Sequence, residues 1–293
     1  MKSLYESLLD DFDTLSSNLS PIDAIKQFLK DNYTTKSSKF RISKKPNTDG
    51  LYKVTCTDNS INVKSSATTL TNGLFKFADF DGTFYCAYNP NLTSLEGAPE
   101  KVRGYFDCSN CPNLTSLEGA PKEVEKGFDC SYCCMLKTLE GAPGKIGYGY
   151  TFNICGCIGL ESLKGAPKEV WGDFDCDSCL SLKSLEGAPE KVDGAFICKN
   201  CKSLVTLKGA PKDIKGYFSC ENCASLKSLK GSPEKVGGDF SCKNCISLKS
   251  LEGAPKEVNW SFVCYNCGKQ FTETEVLKYV KMEKPDRIYT IDK

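Results

Sequence analysis

Histidine is absent from this chain of 293 residues, which has only three methionines and two tryptophans. Without histidine the chain cannot build a Ser-His-Asp or Cys-His catalytic group, a histidine-ligated metal site or the usual pH switch. An excess of one charge is also missing, because 38 Lys and Arg nearly balance 37 Asp and Glu. These absences argue against an enzyme, and nothing global indicates nucleic acid or a membrane surface as partner.

Long apolar runs are missing as well. No stretch approaches the roughly 20 apolar residues of a membrane span. The first eleven residues contain no apolar run and include Glu6, Asp10 and Asp11, so we expect no secretory signal. Nineteen cysteines without such a signal suggest a reducing compartment in which they remain thiols. We therefore expect a cytoplasmic protein with no membrane partner and no cofactor.

What the sequence does contain is a repeat. The pattern Leu-x-Ser/Thr-Leu-Glu/Lys-Gly-Ala/Ser-Pro occurs eight times, and seven copies are followed by Phe-x-Cys-x-x-Cys. The copies begin at Leu92, Leu114, Leu136, Leu160, Leu182, Leu204, Leu226 and Leu248. Their spacing is 22 residues, except for 24 between Leu136 and Leu160. A fixed period of this length predicts a solenoid, in which each repeat buries its apolar side chains against its neighbours.

Each repeat divides into three parts. Residues 106–108, Phe-Asp-Cys, alternate apolar and polar, which predicts a short strand with Phe and Cys facing the core. We expect residues 111–114 to turn the chain and residues 114–117 to form the opposite wall, mostly as loop. The Gly-Ala-Pro at 119–121 then breaks regular structure and returns the chain. This reading predicts about nine turns.

The repeat resembles the leucine-rich repeat, especially the short bacterial form Leu-x-x-Leu-Pro-x-Leu-Pro-x-x-Leu. Leu-Glu-Gly-Ala-Pro-x-x-Val stands in place of Leu-Pro-x-Leu-Pro-x-x-Leu, and Phe-x-Cys-x-x-Cys in place of Leu-x-Val-x-x-Asn, over about residues 80–270. The chain departs from that family in its 22-residue unit, in Gly-Ala for the first Pro-x-Leu, and in Cys at the Asn position. The resemblance implies a leucine-rich-repeat-like solenoid of short parallel strands.

The Gly-Ala-Pro version is also similar to repeats in uncharacterised proteins of bacteriophages and bacterial mobile elements. That resemblance concerns the repeat and not a named activity. It implies a phage-encoded protein that acts in the cytoplasm of a bacterial host cell, where it would block a host factor or a component of host defence.

Residues 1–75 are expected to form an N-terminal helical and β capping region. Apolar residues keep helical spacing from Leu4 to Leu15, and a second helix has Ser20 as N-cap and Pro21 at its first position. Short β signals follow before residue 75. Because the open ends of a solenoid must be covered, capping is favoured over binding for this region.

The solenoid is expected over residues 76–270, and residues 271–293 are expected to form a helical C-terminal cap. The segment Thr272-Glu273-Thr274-Glu275 is a capping box that would open this helix.

The cysteine pairs admit two interpretations. Cys108-x2-Cys111-x18-Cys130-x2-Cys133 has the spacing of a zinc ribbon. Two other repeats disagree, because Ile154 replaces the first cysteine of one and Asn89 the second cysteine of another. Isoleucine cannot bind zinc, whereas free cysteine packs like a small apolar residue. We therefore favour two buried cysteine ladders over zinc, with disulfides as a minor third alternative that needs an oxidising compartment.

If Phe and Cys face inward, the residues between them face outward from the strands. Five aspartates would then lie on one side of the sheet, which we call the acidic face: Asp107, Asp129, Asp173, Asp175 and Asp177. Like charges so close together repel each other, so their clustering needs a reason. Two interpretations of the acidic face are open: the carboxylates keep an exposed sheet solvated, or they form a site for the basic surface of a partner protein. Calcium is a weaker alternative, since the alternating run 173–177 has three carboxylates but lacks the glycine-kinked loop of a calcium site.

The two additional residues of the 24-residue repeat fall near Gly147-Tyr148-Gly149-Tyr150. These tyrosines either anchor an interface or pack over a neighbouring loop. Lysines such as Lys122, Lys168, Lys191, Lys212 and Lys256 follow the prolines with Glu or Asp nearby. This pattern indicates a solvated edge rather than a phosphate track, so nucleic-acid binding is disfavoured.

Function is therefore predicted to lie in the residues that vary between repeats. We predict a non-catalytic scaffold that binds another protein with a basic surface; the alternative is a zinc-stabilised or nucleic-acid-binding structural module. The predicted partner-binding residues are Tyr105, Asp107, Asp129, Tyr148, Tyr150, Asn153, Asp173, Asp175, Asp177, Ile197, Lys199, Tyr217 and Glu221.

Overall fold

The first helix of the described residues is one that the sequence signals at both its cap and its first turn. The computed structural model describes residues 19–35 and 39–291. Helix α1 spans Pro21–Asn32, and the side chain of Ser20 accepts a hydrogen bond from the backbone N–H of Asp23. Both the predicted N-cap and the predicted first-turn proline are confirmed. The helix predicted from Leu4 to Leu15 lies outside the described residues.

A small sheet follows the helix. Strands β1 (Phe40–Ile42) and β2 (Tyr52–Cys56) pair antiparallel, and β4 (Phe75–Phe77) pairs in parallel with the other edge of β2. Strand β3 (Ser60–Asn62), between β2 and β4 in the chain, belongs to the solenoid instead. We call β1, β2 and β4 the N-terminal sheet.

Aromatic side chains join this sheet to the solenoid. The ring of Tyr33, just after α1, packs edge-on against Phe77 with centroids 5.7 Å apart. Phe77 in turn packs edge-on against Phe84, the first phenylalanine of the solenoid, at 5.9 Å. The inner face of the N-terminal sheet therefore covers the first end of the apolar core.

Eleven short strands form one continuous parallel sheet, which we call the front sheet. They are β3, β5 (Thr83–Tyr85), β7 (Phe106–Asp107), β9 (Phe128–Asp129), β11 (Phe152–Asn153), β13 (Phe174–Asp175), β15 (Phe196–Ile197), β17 (Phe218–Ser219), β19 (Phe240–Ser241), β21 (Phe262–Val263) and β23 (Ile288–Tyr289). Phenylalanine lies opposite phenylalanine in the next turn, as Phe106 does opposite Phe128. The structure is thus a parallel β-solenoid of about eleven turns.

The turn count corrects the expectation of about nine turns. Ile61 in β3 pairs with Phe84, and Ile288 in β23 pairs with Phe262. Both isoleucines are buried at the place of the repeated phenylalanine. These two turns carry no Leu-x-Ser-Leu-Glu-Gly-Ala-Pro motif, so counting motifs misses them. The front sheet consequently extends beyond residues 76–270.

The opposite side of the solenoid is more regular than the loop that we expected. The Leu-x-x-Leu segment is irregular, but in nine turns two residues that end in a buried Val, Ile or Met form a strand, and we call these strands the back sheet. They are β6 (Lys101–Val102), β8 (Glu123–Val124), β10 (Lys145–Ile146), β12 (Glu169–Val170), β14 (Lys191–Val192), β16 (Asp213–Ile214), β18 (Lys235–Val236), β20 (Glu257–Val258) and β22 (Lys281–Met282). A strand of two residues is too short to show alternation in the sequence.

The predicted helical C-terminal cap is not found. Helix α2 has five residues, Glu273–Leu277, although the predicted capping box of Thr272 and Glu275 is present. The chain then continues into β22 and β23, which extend the back and front sheets by one turn. Because β22 and β23 pair with the preceding turn, α2 occupies one side of a last turn instead of covering the end.

Ladders of identical side chains fill the core. Nine phenylalanine rings from Phe84 to Phe262 stack face to face, with centroids 5.1–5.7 Å apart and planes inclined by at most 21°. Rings stacked in this way bury a large apolar area and gain contact energy with each neighbour. The Phe and Leu positions of every repeat are buried, as the sequence predicted.

The back sheet is interrupted at one place. It divides into β6–β8–β10 and β12–β14–β16–β18–β20–β22, whereas the front sheet is continuous there. The interruption coincides with residues 147–150, where the repeat is two residues longer. The insertion is therefore accommodated on the back side without disturbing the front sheet.

Candidate protein-binding surface

The cysteines form two buried ladders with different roles. At the second position the thiol donates a hydrogen bond to the backbone carbonyl one turn earlier, as in Cys111 Sγ to Cys86 O at 3.2 Å. The same bond occurs from Cys133, Cys157, Cys179, Cys201, Cys223, Cys245 and Cys267 at 3.1–3.3 Å. The first position contributes apolar volume and that carbonyl oxygen.

The two exceptional repeats fit this division. Asn89, at the second position, is buried, and its Nδ2 donates to the carbonyl oxygens of Lys64 and Ala67 at 3.2 and 2.8 Å. Ile154, at the first position, is buried, and its carbonyl oxygen accepts from the Cys179 thiol at 3.3 Å. A donor is thus kept at the second position, and only volume is kept at the first.

Hydrogen bonds with neighbouring cysteines outweigh burial in Cys108 and Cys267 and lower the pKa of these two thiols. In most of the other ladder thiols burial disfavours the thiolate form that zinc binding requires. It raises the pKa of Cys111 and of Cys264 to about 12, and it raises the pKa of Cys198 further. All nineteen cysteines are free thiols. Within residues 19–35 and 39–291, no three Cys, Asp or Glu side chains converge in a way that could hold a metal ion. All the cysteines except Cys56, Cys134 and Cys155 therefore belong to the two ladders.

Most of the acidic face has a local structural role. Asp107, Asp129 and Asp175 follow the buried phenylalanine, and each accepts a hydrogen bond from the backbone N–H two residues later at 2.8–3.0 Å. Asn153 makes the same bond and also donates from Nδ2 to Asp129 at 3.0 Å. Such Asx turns are satisfied equally by Asp and Asn. The hydrogen bond at these four turns therefore needs an Asx oxygen, but it does not need the negative charge.

The three carboxylates of the run 173–177 all accept hydrogen bonds from the protein. Asp173 accepts from the backbone N–H of Ala195 at 2.7 Å, and Asp177 accepts from the Asn200 amide at 2.9 Å. Burial raises the pKa of Asp175, and the charges of Asp177 and Asp173 raise it further. This arrangement differs from a calcium site, in which carboxylates converge on the ion.

The remaining predicted residues around this run lie on the same face. The side chain of Tyr217 is exposed there, and partial burial together with the charges of Asp173 and Asp175 raises the pKa of its phenol. Ile197 lies beside Asp175 in the strand register. Lys199 approaches Glu221 at 3.7 Å. Asp173, Asp175, Asp177, Ile197, Lys199, Tyr217 and Glu221 therefore share one part of the front sheet.

The tyrosines of the insertion separate from each other. Tyr150 packs edge-on against Tyr105, with ring centroids 5.5 Å apart, at the edge of the front sheet. Tyr148 is 79% exposed and faces Trp171 at 6.3 Å instead. Tyr150 thus packs on a neighbouring side chain, as one alternative stated, while Tyr148 stands open to solvent, and its role as an interface anchor stays a prediction.

A second group of exposed residues lies at the turn beyond the acidic face, and we had not predicted it. We call Tyr132, Met135, Ile158 and Leu180 the corner patch; their exposed fractions are 52%, 51%, 43% and 38%. Ile158 and Leu180 directly follow the second cysteine position in neighbouring turns. Ile246 of a later repeat is also apolar at this position, and the remaining repeats have Pro, Cys, Lys, Ala or Gly there. The signal that could have revealed the corner patch is a variable position that is apolar in two successive repeats.

The corner patch joins the acidic face through Tyr132. Its ring lies over Gly156, where an added Cβ would fall 2.5 Å from Cδ1 of the ring. The neighbouring Cys155 thiol, followed by Asp177 and Asp175, raises the pKa of the Tyr132 phenol. Apolar and acidic side chains therefore form one continuous surface over three turns.

The lysines of the back sheet alternate with acids along its whole length. The outward position before each buried Val, Ile or Met reads Lys101, Glu123, Lys145, Glu169, Lys191, Asp213, Lys235, Glu257 and Lys281. Parallel register sets unlike charges side by side, and Lys101 lies 3.2 Å from Glu123. Cross-strand pairs of opposite charge stabilise a sheet. Each lysine of this column therefore has an acidic neighbour in an adjacent strand.

No helix of the described ranges has both the length and the apolar character needed to cross a membrane. No family model, curated protein or solved structure matches the chain, so its function is inferred from the residues described above.

Proposed function

We propose that this chain is a non-catalytic scaffold that binds a partner protein through the corner patch and the adjoining acidic face. One observation carries the proposal: four exposed apolar side chains lie at the corresponding turns of three successive repeats, whereas Tyr88 and Ile246 each stand alone at the turn of their own repeat. The core does not require them, because the Phe, Cys and Leu ladders are complete without them. Clustered exposed apolar residues are typical of interaction sites.

The surrounding charge defines the partner. Carboxylates of Asp129, Asp175 and Asp177 adjoin the corner patch, so the complementary surface is basic around an apolar centre. Eleven strands about 4.8 Å apart make a face about 50 Å long, which is sufficient for a standard protein interface. Tyr105 and Tyr150 would contact the partner at the opposite edge of the same sheet.

The proposed setting follows from the repeat itself. The Leu-x-Ser-Leu-Glu-Gly-Ala-Pro unit resembles the leucine-rich repeat and the repeats of phage and mobile-element proteins. On that basis the partner is a host protein of a bacterial cytoplasm, such as a defence component, which the solenoid blocks by occupying its surface. The zinc-stabilised alternative has less support, since the second-position thiols already donate to carbonyl oxygens.

The experiment removes charge from the acidic face without removing the turns. Asp107, Asp129 and Asp175 are replaced together by Asn, which preserves the Asx oxygen that Asn153 supplies naturally. Tagged wild type and variant are used to capture proteins from bacterial lysate, and captured proteins are identified by mass spectrometry. A triple variant Glu96→Gln, Glu118→Gln and Glu186→Gln, on the irregular wall, serves as a charge-matched control.

We expect the Asn variant to lose the partner that the wild type and the Gln control both retain. Far-UV circular dichroism and urea unfolding verify that all three proteins are folded. Equal capture by the Asn variant would contradict a role for the acidic face. Loss of capture by both variants would show that capture depends on net charge and not on the acidic face, and this outcome too would contradict the proposal.

A further inference from the structure

The N-terminal sheet has a charge of its own. Residues 39–57 and 74–78, which form this sheet, contain six Lys and Arg against one Asp, although the whole chain is nearly neutral. The side chains of Arg41, Lys53 and Lys76 all point outward from β1, β2 and β4, since their strand neighbours are the ones that face the core. The inner face caps the solenoid, whereas the outer face is basic.

The register brings these cations together. Lys53 lies directly opposite Lys76 in the parallel pair β2–β4, and like charges directly opposite each other destabilise a sheet. Lys76 has Glu100 at 2.7 Å. Within the described ranges, no carboxylate lies at salt-bridge distance from Arg41, Lys44, Lys45 or Lys53. In residues 79–291, by contrast, about half of the Lys and Arg lie at salt-bridge distance from a carboxylate.

The composition of this face narrows the choice of ligand. Among residues 39–78, none is a large apolar side chain that stands exposed. A membrane-surface site and the centre of a protein interface both need such side chains. A single-stranded nucleic acid site needs exposed aromatics on which bases can stack. A polar, cationic sheet face without them fits the phosphates of a duplex, which are recognised by charge alone.

We propose that the outer face of the N-terminal sheet, centred on Arg41 and Lys53, binds the phosphate backbone of duplex nucleic acid without sequence preference. The cations stand on strands about 4.8 Å apart and continue into Lys44 and Lys45 of the hairpin. This site is separate from the corner patch, so each site can fail while the other is retained. The solenoid would thus hold a protein partner while its N-terminal end contacts nucleic acid.

The test measures binding of a fluorescently labelled DNA duplex by anisotropy over a series of salt concentrations. The site variant is Arg41→Gln with Lys53→Gln, which removes repulsion and should fold at least as well as the wild type. The control is Lys168→Gln with Lys212→Gln, two exposed solenoid lysines that give the same change in net charge. Urea unfolding confirms that all proteins are folded.

We expect the site variant to bind the duplex at least roughly tenfold more weakly than the wild type. The negative slope of log K against log salt should become shallower by about 2. The control should stay close to wild type in both quantities. Absence of duplex binding by the wild type would overturn the proposal. So would equal weakening in the control, tighter binding to single strands of the same length, or tighter binding to phosphatidylserine vesicles.

Discussion

The thiol of Cys201 donates a hydrogen bond to the backbone carbonyl oxygen of Cys176, 3.2 Å away in the preceding turn. The carbonyl lies inside a wall of buried side chains, where an acceptor without a donor would be costly. Cysteine is small enough for this place and carries a donor, and Asn89 shows that a different donor is also accepted. The second cysteine of each pair is therefore a hydrogen-bonding residue of the scaffold.

The two cysteine positions should respond differently to the same substitution. Cys198→Val preserves volume at a first position, so we expect a loss of unfolding free energy under about 1.5 kcal/mol. Cys201→Val leaves the Cys176 carbonyl without its donor, so we expect an additional loss of about 1–3 kcal/mol. Urea unfolding of the two variants measures the difference. Equal losses would show that the thiol hydrogen bonds contribute nothing.

The buried thiols should make the protein sensitive to alkaline pH. Cysteines in the unfolded chain ionise near pH 8.5, whereas burial raises the pKa of Cys111 and Cys264 to about 12. Above about pH 8.5 the unfolded chain has released protons that the folded chain retains, so rising pH favours unfolding. Each such thiol contributes a loss of about 1.4 kcal/mol per pH unit in this window.

Urea unfolding at pH 7.5 and pH 9.5, in the presence of reductant, tests this expectation. Replacing several first-position cysteines by valine should reduce the difference between the two pH values. Unfolding free energies that are equal at both pH values would contradict protonated, buried thiols.

Asp175→Asn should stabilise the protein at neutral pH. Burial raises the pKa of Asp175 in the folded state, so its ionised form is less favourable there than in the unfolded chain. The contribution of this carboxyl to stability is complete below about pH 4 and is lost as the pH rises through its folded pKa. Asn preserves the hydrogen bond to the backbone N–H of Asp177. Thermal unfolding at pH 7 and pH 3.5 should show a gain only at pH 7.

Gly156→Ala should displace Tyr132 from the corner patch. Gly156 has a φ of +69°, and an added Cβ would lie 2.5 Å from the Tyr132 ring. Gly149 has a similar φ of +77° with open space around it, so Gly149→Ala is a matched control for the backbone cost. Each substitution should cost about 1 kcal/mol for the left-handed conformation. Only Gly156→Ala should also change the NMR signals of the Tyr132 ring, and unchanged signals would contradict the contact.

The parts of the fold that could be predicted from the sequence are those formed by residues that recur in every repeat. Phe106 and Cys108 face the core because alternation and a fixed period apply in every copy. The first and last turns escaped notice because Ile61 and Ile288 fill the phenylalanine place outside any repeat motif. The back sheet was not predicted because its strands are only two residues long. The prediction of a helical C-terminal cap was wrong because sheet pairing continues to Tyr289.

The candidate site was predicted only in part. The acidic columns follow from alternation, but the sequence did not show that Asp107 and Asp129 cap their own turns. The corner patch depends on which residues stand exposed after the second cysteine, and that exposure is set by how the turn packs. Ile158 and Leu180 look like core residues in a sequence, and only their position at the turn distinguishes them.

The central claim is that repeated residues form the scaffold and that Ile158 and Leu180 belong to the binding surface. The most direct measurement is the dissociation constant of the purified partner for Ile158→Ser with Leu180→Ser, compared with wild type and Ile246→Ser. Ile246 stands at the same position of a later repeat and is 65% exposed, outside the corner patch. We predict that the double variant binds at least roughly thirtyfold more weakly, while Ile246→Ser binds like wild type. Unchanged binding by the folded double variant, or equal weakening in both variants, would contradict this account.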